Sequence, residues 1–370
     1  MVLQKIRKKG ARWFFWRLIN EFRNPSKAIT KSLIDGALNF RRKLVTPFKA
    51  DSSDDLLYSI IDLKIFPITF DITEHLVDSE YEANKLGKKG FIIVFVPQGR
   101  QQSYGWDEYD SLFDSESKLW RFHNIVLPIT LLAPSCKGIY ILPRRSDVTT
   151  FIQNKDVHPN IYDEVNLRLA KTSDLYKKLD RPNLIKGLRA SKQGLRYIEA
   201  WYKSNKIQSK VVSITIRQSL FDKARNSNLK EWKKFIKYLK DEGYFPVVIP
   251  DTDSAFKTGN PFPESHLFME GAWNMGLRMA LYETSYVNFF SPNGPSRLAV
   301  WNPKCSYICM NSLPKDSIVT TEEYFKERDH KIGENYKFAL PNQRFVFTPE
   351  SFESIVQEFE KFVNENRNSK

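Results

Sequence analysis

The stretch at residues 287–301, VNFFSPNGPSRLAVW, carries the residue types that point most directly to ligand chemistry. An apolar run ends in Ser-Pro-Asn-Gly-Pro-Ser, and a helix-like run follows at once. Gly294 lets a ligand approach the backbone, and Pro295 suits the first turn of a helix, where its missing N–H would have no partner. Because Asn-Gly-Pro is also an ordinary turn, the phosphate-site hypothesis depends on the elements around it.

A helix that starts beside Asn293 and Ser296 is expected to bind an anion through its backbone. The N–H groups of residues 296–298 have no acceptor within a first helical turn, and the helix dipole places positive potential behind them. The Asn-Gly-Pro-Ser turn therefore predicts a phosphate site with free N–H donors.

Other polar residues follow the predicted strands of the same half of the chain. Ligands of open parallel sheets bind beyond the carboxyl ends of the strands, so these residues are candidate substrate contacts. They are Arg217 at the end of the strand at 211–217 and Arg225 after it, Asp251 at the end of the strand at 245–251, and His266 and Glu283 around the following helix. Asp251 and Asp253 together would also suit a Mg²⁺ ion, but an acid that caps a turn is the favoured interpretation, and no metal is predicted.

The first half offers candidates for a general base and for further substrate contacts. The base candidates are His123 and Asp107, with Glu108 and Asp110 as rival loop acids, and the substrate contacts are Gly99, Arg100 and Arg121. The pKa of an ordinary imidazole lies near neutrality, which suits His123 for taking a proton from a hydroxyl. A histidine on a helix beside aromatic residues is more often a structural hydrogen-bonding group, and most loop acids are simply solvated.

The elements that position these residues alternate between strand and helix. The run at 90–96, GFIIVFV, is continuously apolar, as is typical of a strand buried on both faces. Further strands are predicted at 63–72, 138–143, 211–217, 245–251, 286–291, 306–311 and 343–347. The helices between them are predicted at 73–87 with Thr73 as N-cap, 119–135 with a kink at Pro128, 186–205, 228–243, 271–285, 295–301 and 349–367.

This alternation predicts an α/β fold with two Rossmann-like, doubly wound parallel-sheet domains in tandem. The predicted divisions are a basic amphipathic helical segment at 1–50, an acceptor domain with connecting helices at 51–205, a ligand domain at 206–350 and a C-terminal helix at 351–370. A chain of 370 residues with 41% hydrophobic content is long enough to form two cores.

The positive charge is concentrated at one end of the chain. Residues 1–50 contain thirteen Lys and Arg but only two acids, and the basic residues lead into aromatic residues between Trp13 and Phe22. This pattern suits a segment that lies on an anionic membrane surface, at least through residues 1–24, or a helix that packs its aromatic side chains on its own protein. The basic excess does not extend into the domains, so nucleic acid is not a predicted partner.

Several cellular locations are disfavoured by the sequence. No apolar run approaches the ~20 residues needed to span a bilayer. No secretory cleavage pattern is present, and the three cysteines form neither a CxxC pair nor an even framework, which favours a reducing compartment. We therefore expect a cytoplasmic protein, either free or peripheral on the inner face of a membrane.

The segment at 275–310, MGLRMALYETSYVNFFSPNGPSRLAVWNPKCSYICM, resembles the donor-side half of heptosyltransferase-like GT-B glycosyltransferases. The pattern extends over residues 211–345, and the first half matches only in its order of strands and helices. The resemblance implies that residues 293–296 hold the diphosphate of a nucleotide sugar, that Arg217 or Arg225 contacts phosphate, and that Glu283 holds a ribose. The chain lacks the family's Asp-Ser/Thr-Gly and downstream His.

The function expected from the residues and the resemblance is glycosyl transfer. A nucleotide sugar would serve as donor without a cofactor or metal, and a glycan or lipid-linked sugar in cell-surface polysaccharide or lipopolysaccharide synthesis would serve as acceptor. A sugar-nucleotide epimerase on the same fold and a non-catalytic membrane-associated scaffold are the alternatives. The absence of Gly-x-Ser-x-Gly, P-loop and His-Glu-x-x-His patterns disfavours hydrolases, kinases and zinc enzymes.

Overall fold

The computed structural model describes residues 55–98, 111–160, 162–164, 167, 173–252, 255 and 260–368, together with ten isolated residues between Arg12 and Ala37. Most of the predicted basic segment at 1–50 and the whole loop at 99–110 lie outside the described residues. Within the described part, no helix is both long and apolar enough to cross a bilayer.

The first half contains a four-stranded parallel sheet in the order β3-β2-β1-β4. Its strands are β1 Leu56–Asp62, β2 Gly90–Val96, β3 Cys136–Ile141 and β4 Val157–His158. Both faces of β1 are buried, because Leu57 and Ile61 belong to the core on one face and Tyr58 and Ile60 to the core on the other. β2 coincides with the apolar run that predicted it.

The first strand lies earlier in the chain than predicted, and the strand expected at 63–72 is wrong. The N–H groups of Ile65 and Phe66 both donate to the carbonyl of Asp62, at 3.1 and 2.8 Å, which turns the chain away from the sheet. Pro67 has no N–H to give to a strand ladder. The apolar side chains of this stretch therefore belong to a loop at the carboxyl end of β1.

Helices of the first half cover both faces of this sheet, and the connecting segment, residues 173–204, adds two more helices. They are α1 Ile72–Lys85, α2 Ser115–Arg121, a π turn at Phe122–Val126, α3 Leu127–Thr130, a 3₁₀ turn at Arg145–Asp147, α4 Val148–Phe151, α5 Ser173–Lys178 and α6 Lys192–Ser204. Asp71, not the predicted Thr73, occupies the N-cap position of α1. The π turn lies directly before Pro128, where the sequence predicts a kink.

The second half contains a six-stranded parallel sheet in the order β10-β9-β8-β5-β6-β7. Its strands are β5 Val211–Thr215, β6 Phe245–Ile249, β7 His266–Leu267, β8 Val287–Phe290, β9 Tyr307–Cys309 and β10 Gln343–Phe345. The chain adds β6 and β7 on one side of β5, and then β8, β9 and β10 on the other side. The carboxyl ends of β5 and β8 therefore flank a topological switch point, where open sheets bind ligands.

The helices of the second half also cover both faces of their sheet. They are a 3₁₀ turn at Lys223–Arg225, α7 Leu229–Asp241, a 3₁₀ turn at Met269–Ala272, α8 Met275–Thr284, α9 Ser296–Val300, α10 Glu322–Glu327 and α11 Phe352–Asn368. α7 and α11 pack together through Phe235 and Phe359, whose ring centroids are 5.7 Å apart. The C-terminal helix therefore covers the second sheet.

The connecting segment bonds to both halves and fixes them against each other. The N–H of Arg189 donates to the carbonyl of Leu132 at 2.7 Å, and the N–H of Leu188 donates to the carbonyl of Trp301 at 2.8 Å. The Glu80 carboxylate of α1 accepts the N–H of Gly187 at 3.0 Å. A single hydrophobic cluster runs through this junction.

The α/β class with two doubly wound parallel-sheet domains is confirmed. α6, which the sequence assigns to the first domain, lies on α8 of the second half, where the Tyr202 hydroxyl is 2.9 Å from the Thr284 hydroxyl. The domain boundaries at 51, 206 and 351 stay predictions.

Candidate functional site

A cavity of about 640 Å³ lies between the two halves. From the first half and the connecting segment, the loop after β1, the start of α1 and residues of α2 and α5 line it. From the second half, the carboxyl ends of β5, β6 and β8 and the helices α8 to α10 line it. Because the switch point of the second sheet opens into this cavity, it is the candidate ligand site of the molecule.

Eight of the predicted site residues line this cavity. They are Arg121, Arg217, Arg225, Asp251, Asn293, Gly294, Pro295 and Ser296. Gly99, Arg100 and Asp107 lie outside the described residues, as do the rival acids Glu108 and Asp110. Their assignment stays a prediction.

The other three predicted residues lie elsewhere in the fold. The Glu283 carboxylate is buried between the connecting segment and α8, where it pairs with the Arg189 guanidinium at 3.1 Å and accepts the side-chain amide of Asn302 at 2.8 Å. This environment gives Glu283 a structural role away from the cavity.

The two predicted histidines also lie outside the cavity lining. His266 is on the edge strand β7, its ring centroid is 4.9 Å from that of Trp201, and burial lowers its pKa. His123 is an exposed residue of the π turn, with its ring edge-on to Phe122 at 5.5 Å. Neither histidine lines the cavity in which a substrate would react.

The Asn-Gly-Pro-Ser turn lines the cavity, but its backbone donors are already used. The N–H of Ser296 donates to Asn293 Oδ1 at 2.7 Å. The N–H groups of Arg297 and Leu298 donate to the carbonyls of Gly294 and Pro295, at 3.0 and 3.1 Å. The prediction of free N–H groups at residues 296–298 is therefore wrong, because the asparagine side chain and the tight turn satisfy them locally.

Residue 294 must be a glycine because Phe70 of the other half packs against its backbone. A Cβ at this position would lie 2.6 Å from Cδ2 and 3.2 Å from Cβ of Phe70, which belongs to the loop before α1. Turning the ring alone does not remove such a contact, because Phe70 Cβ is itself too close. The missing side chain of Gly294 therefore allows the two halves to meet at the edge of the cavity.

The loop after β5 is organised around the Arg217 guanidinium. This group donates to the carbonyl of Asp222 at 2.9 Å, to Asn226 Oδ1 at 2.5 Å and to the carbonyl of Phe221. Burial and then the charge of Arg225 lower the pKa of Arg217 to about 10, so the group stays cationic near neutral pH. Arg217 closes its own loop and adds positive potential to the cavity.

Arg225 is held at the cavity by a neighbouring acid. Its Nε lies 2.8 Å from Asp222 Oδ2, and the Ser317 hydroxyl donates to the same carboxylate oxygen at 2.7 Å. Burial lowers the pKa of Arg225, and the charge of Asp222 opposes that shift. On the other side of the loop, Asp251 Oδ2 accepts the N–H of Gln218 at 2.9 Å.

The side chain of Arg297 lines the cavity, whereas the sequence suggested only its backbone N–H as a ligand contact. Its Nη1 lies 3.1 Å from Glu74 Oε1 in α1 and donates to the Tyr176 hydroxyl at 2.5 Å, while Nη2 donates to the Tyr324 hydroxyl. Arg328 lies over the Tyr324 ring at 3.6 Å. The position of Arg297, directly after the predicted turn, is the only local signal for it.

Asp71 is the second residue that the sequence analysis missed. It lines the cavity from the first half, next to Glu74, and the Thr69 hydroxyl donates to its Oδ2 at 2.9 Å. Burial and then the charge of Glu74 raise its pKa, against the opposing charge of Arg297. A carboxylate with a raised pKa that faces a cleft is a candidate proton acceptor.

Within the described part of the chain, no group of three or more His, Cys, Asp or Glu is arranged to hold a metal ion. The three cysteines are free, with Cys305 and Cys309 buried and Cys136 partly buried. Six arginine side chains and Lys177 line the cavity and give it positive charge.

The fold is similar to those of solved glycosyltransferases. The structure of the glycosyl transferase family 9 from Veillonella parvula DSM 2008 matches with a TM-score of 0.50 and 10% sequence identity, over 86% of this chain and 100% of that chain. That of E. coli ADP-heptose lps heptosyltransferase II matches with a TM-score of 0.52 and 9% identity, over 84% and 100%. No protein-family model and no curated protein sequence matches significantly. The predicted resemblance to the GT-B fold is confirmed.

We expect Gly294→Ala to destabilise the protein by about 1–3 kcal/mol, because the new methyl group overlaps Phe70 at a packed contact. Urea unfolding measures the change. The matched control is Gly276→Ala in α8, where a Cβ would lie 3.4 Å from its nearest neighbour. Combining Gly294→Ala with Phe70→Leu should cost less than the sum of the two changes. Equal stability of the Gly294 and Gly276 variants would contradict the packing role.

Proposed function

We propose that the protein is a glycosyltransferase that binds a nucleotide-sugar donor in the cavity between its halves. The observation that carries this proposal is the position of the cavity: it lies at the switch point of the second sheet and is lined by six arginines. A nucleoside diphosphate is the common ligand chemistry for such a combination, because its two phosphates need both neutralisation and a shaped cleft.

Arg225 and Arg297 are the proposed contacts of the diphosphate. Each has one side of its guanidinium fixed by an acid, Asp222 or Glu74, and has more N–H donors than its contacts use. As the bond between the anomeric carbon and the diphosphate breaks, negative charge grows on the leaving phosphate oxygen. Donors that are already fixed in place stabilise that charge with little reorganisation.

Asp71 is the proposed general base. It faces the cavity from the half opposite Arg225 and Arg297, so an acceptor hydroxyl placed between them would reach both the base and the anomeric carbon. The hydroxyl oxygen forms the new bond to the anomeric carbon, its proton passes to the Asp71 carboxylate, and the nucleoside diphosphate leaves with the electron pair of the broken bond. Of the two base candidates that the sequence offers, His123 does not line the cavity and Asp107 lies outside the described residues.

The acceptor is proposed to be a glycan or a lipid-linked sugar in cell-surface polysaccharide or lipopolysaccharide synthesis. This assignment rests on the likeness in fold to a family 9 glycosyl transferase and a lipopolysaccharide heptosyltransferase. We propose further that the arginines supply the positive charge that a divalent ion provides in other transferases, so that the reaction needs no metal or cofactor. The proposed location is the cytoplasm or the inner face of the membrane.

The first test is donor binding. We expect one class among UDP-, GDP-, ADP- and CMP-sugars to raise the unfolding temperature, because a bound ligand stabilises the native state. Arg225→Met and Arg297→Met should each weaken binding about tenfold or more, as the loss of a charge-assisted hydrogen bond implies. Arg196→Met on the exposed face of α6 is the matched control. The absence of binding by every donor would instead favour a scaffold.

The second test is the pH dependence of transfer. Because burial raises the pKa of Asp71, we expect kcat/KM to fall on the acidic side with an apparent pKa above that of an ordinary aspartate. Asp71→Asn should lower kcat by about 10²–10⁴-fold and remove that acidic limb. Asp241→Asn, on the exposed end of α7, should leave both unchanged. A retained acidic limb in Asp71→Asn would exclude this base.

The third test concerns the N-terminal segment. Phe15, Trp16 and Ile19 have helical backbone and expose more than half of their surface. With the thirteen basic residues of 1–50, they support a proposed contact with anionic membranes. We expect deletion of residues 1–24 to reduce co-sedimentation with phosphatidylglycerol-containing vesicles, and high salt to do the same for the full chain. Unchanged sedimentation would favour packing on the protein itself.

A further inference from the structure

Arg278 is a cavity residue to which neither the fold nor the proposed reaction assigns a role. It belongs to α8, its side chain is completely buried, and it lines the cavity at the end formed by β5 and β6. The neighbouring lining residues at that end include Thr215, Asp251 and Thr252. A completely buried guanidinium on a ligand cavity is an unusual placement, because arginine is almost never fully buried without a partner.

The hydrogen-bond partners of Arg278 are all neutral. Its Nε donates to the carbonyl of Gly271, and its Nη1 donates to the Tyr282 hydroxyl at 3.2 Å. Tyr282 is in turn 2.8 Å from the Thr215 hydroxyl. In the described part of the chain, no carboxylate pairs with Arg278 and no acceptor meets its Nη2.

Three other cavity arginines have their guanidinium groups paired or hydrogen-bonded within the protein. Arg225 pairs with Asp222, Arg297 pairs with Glu74, and Arg217 gives both terminal nitrogens to acceptors of its own loop. Removing a cation from water is costly unless an opposite charge or a full set of hydrogen bonds replaces the lost hydration. Arg278 differs from these three, because within the described residues its guanidinium has only two neutral hydrogen-bond partners and no ion pair.

We propose that Arg278 forms an anion subsite at the end of the cavity near β5 and β6. The subsite accepts one oxyanion, which would receive hydrogen bonds from Nη2 and share the charge of the guanidinium. Two sources of this chemistry fit a nucleotide-sugar site: a phosphate of the nucleotide, or a carboxylate on the transferred sugar. The inference rests on the proposed donor site, and it adds a residue that determines which donor is selected.

The Asp251 carboxylate at the same end of the cavity sets a limit on the ligand. Its Oδ2 is occupied by the N–H of Gln218, at 2.9 Å, and it repels an anion placed on its side of the subsite. The hydroxyls of Thr215 and Thr252 are engaged with Tyr282 and with the carbonyl of Ala272. The anion is therefore bound by the guanidinium itself.

A purely structural role for Arg278 makes a different prediction. In that case the side chain serves to hold the turn at Met269–Ala272 against α8, and its loss leaves the Gly271 carbonyl without its donor and lowers the unfolding temperature. A ligand-binding role adds an effect that a purely structural role lacks. Affinity for an oxyanion then falls even in a variant that stays folded and keeps its unfolding temperature.

The test compares the wild-type protein with Arg278→Met and Arg278→Lys. Binding of inorganic pyrophosphate, ADP, UDP and UDP-glucuronic acid is measured by titration calorimetry, and the unfolding temperature is measured without ligand. We expect Arg278→Met to lower the affinity for at least one probe tenfold or more. The unfolding temperature shows that the variant stays folded. Weaker binding of pyrophosphate and both nucleotides identifies a phosphate, whereas a loss confined to UDP-glucuronic acid identifies a sugar carboxylate.

If Arg278→Met does not fold, Arg278→Lys is the variant that tests the proposal. Lysine keeps the charge but lacks the guanidinium fork, so a tenfold loss of affinity at an unchanged unfolding temperature supports the subsite. If both variants bind every probe with wild-type affinity, the inference is overturned and the proposed transferase stays intact. If Arg278→Met does not fold, the same result in Arg278→Lys alone overturns it. Failure of the wild-type protein to bind any probe overturns it too. Binding of pyrophosphate that depends on Arg278, without transfer of any sugar, supports the subsite and counts against the proposed function.

Discussion

The contact of Arg297 with Glu74 is the interaction on which the candidate site depends. It places a cation of the second sheet's switch point against the first helix of the other half, and the hydroxyls of Tyr176 and Tyr324 also accept hydrogen bonds from the guanidinium. The same contact brings Asp71 and Phe70 to the cavity edge, since both lie on the loop before that helix. Charged side chains of both halves therefore meet at the cavity, because the two parallel-sheet domains are in contact there.

The turn that first suggested a phosphate site contributes in a different way from the one expected. Its Gly294 makes room for Phe70, and its Asn293 satisfies the first N–H of the short helix α9. The proposed anion contacts are therefore side chains, above all Arg225 and Arg297, and not the backbone N–H groups of the turn. The turn itself lines the cavity between the two halves.

Much of the fold was predictable because local patterns determine it. The continuously apolar run of β2 and the alternation of strands with amphipathic helices gave the two parallel sheets, whereas β1 was misplaced because the loop after it is also apolar. The candidate site was harder to predict from the sequence. Asp71 and Arg297 acquire their environment from residues far away in the chain, and Glu283 is fixed by Arg189 and Asn302. No spacing pattern encodes such long-range contacts.

A crystal structure with the nucleoside diphosphate that binds most tightly tests the central claim most directly. The account predicts the diphosphate in the cavity between the halves, with phosphate oxygens within hydrogen-bond distance of Arg225 and Arg297 and with Asp71 on the opposite wall. A nucleotide bound outside this cavity, or inside it with its phosphates away from both arginines, would contradict the account.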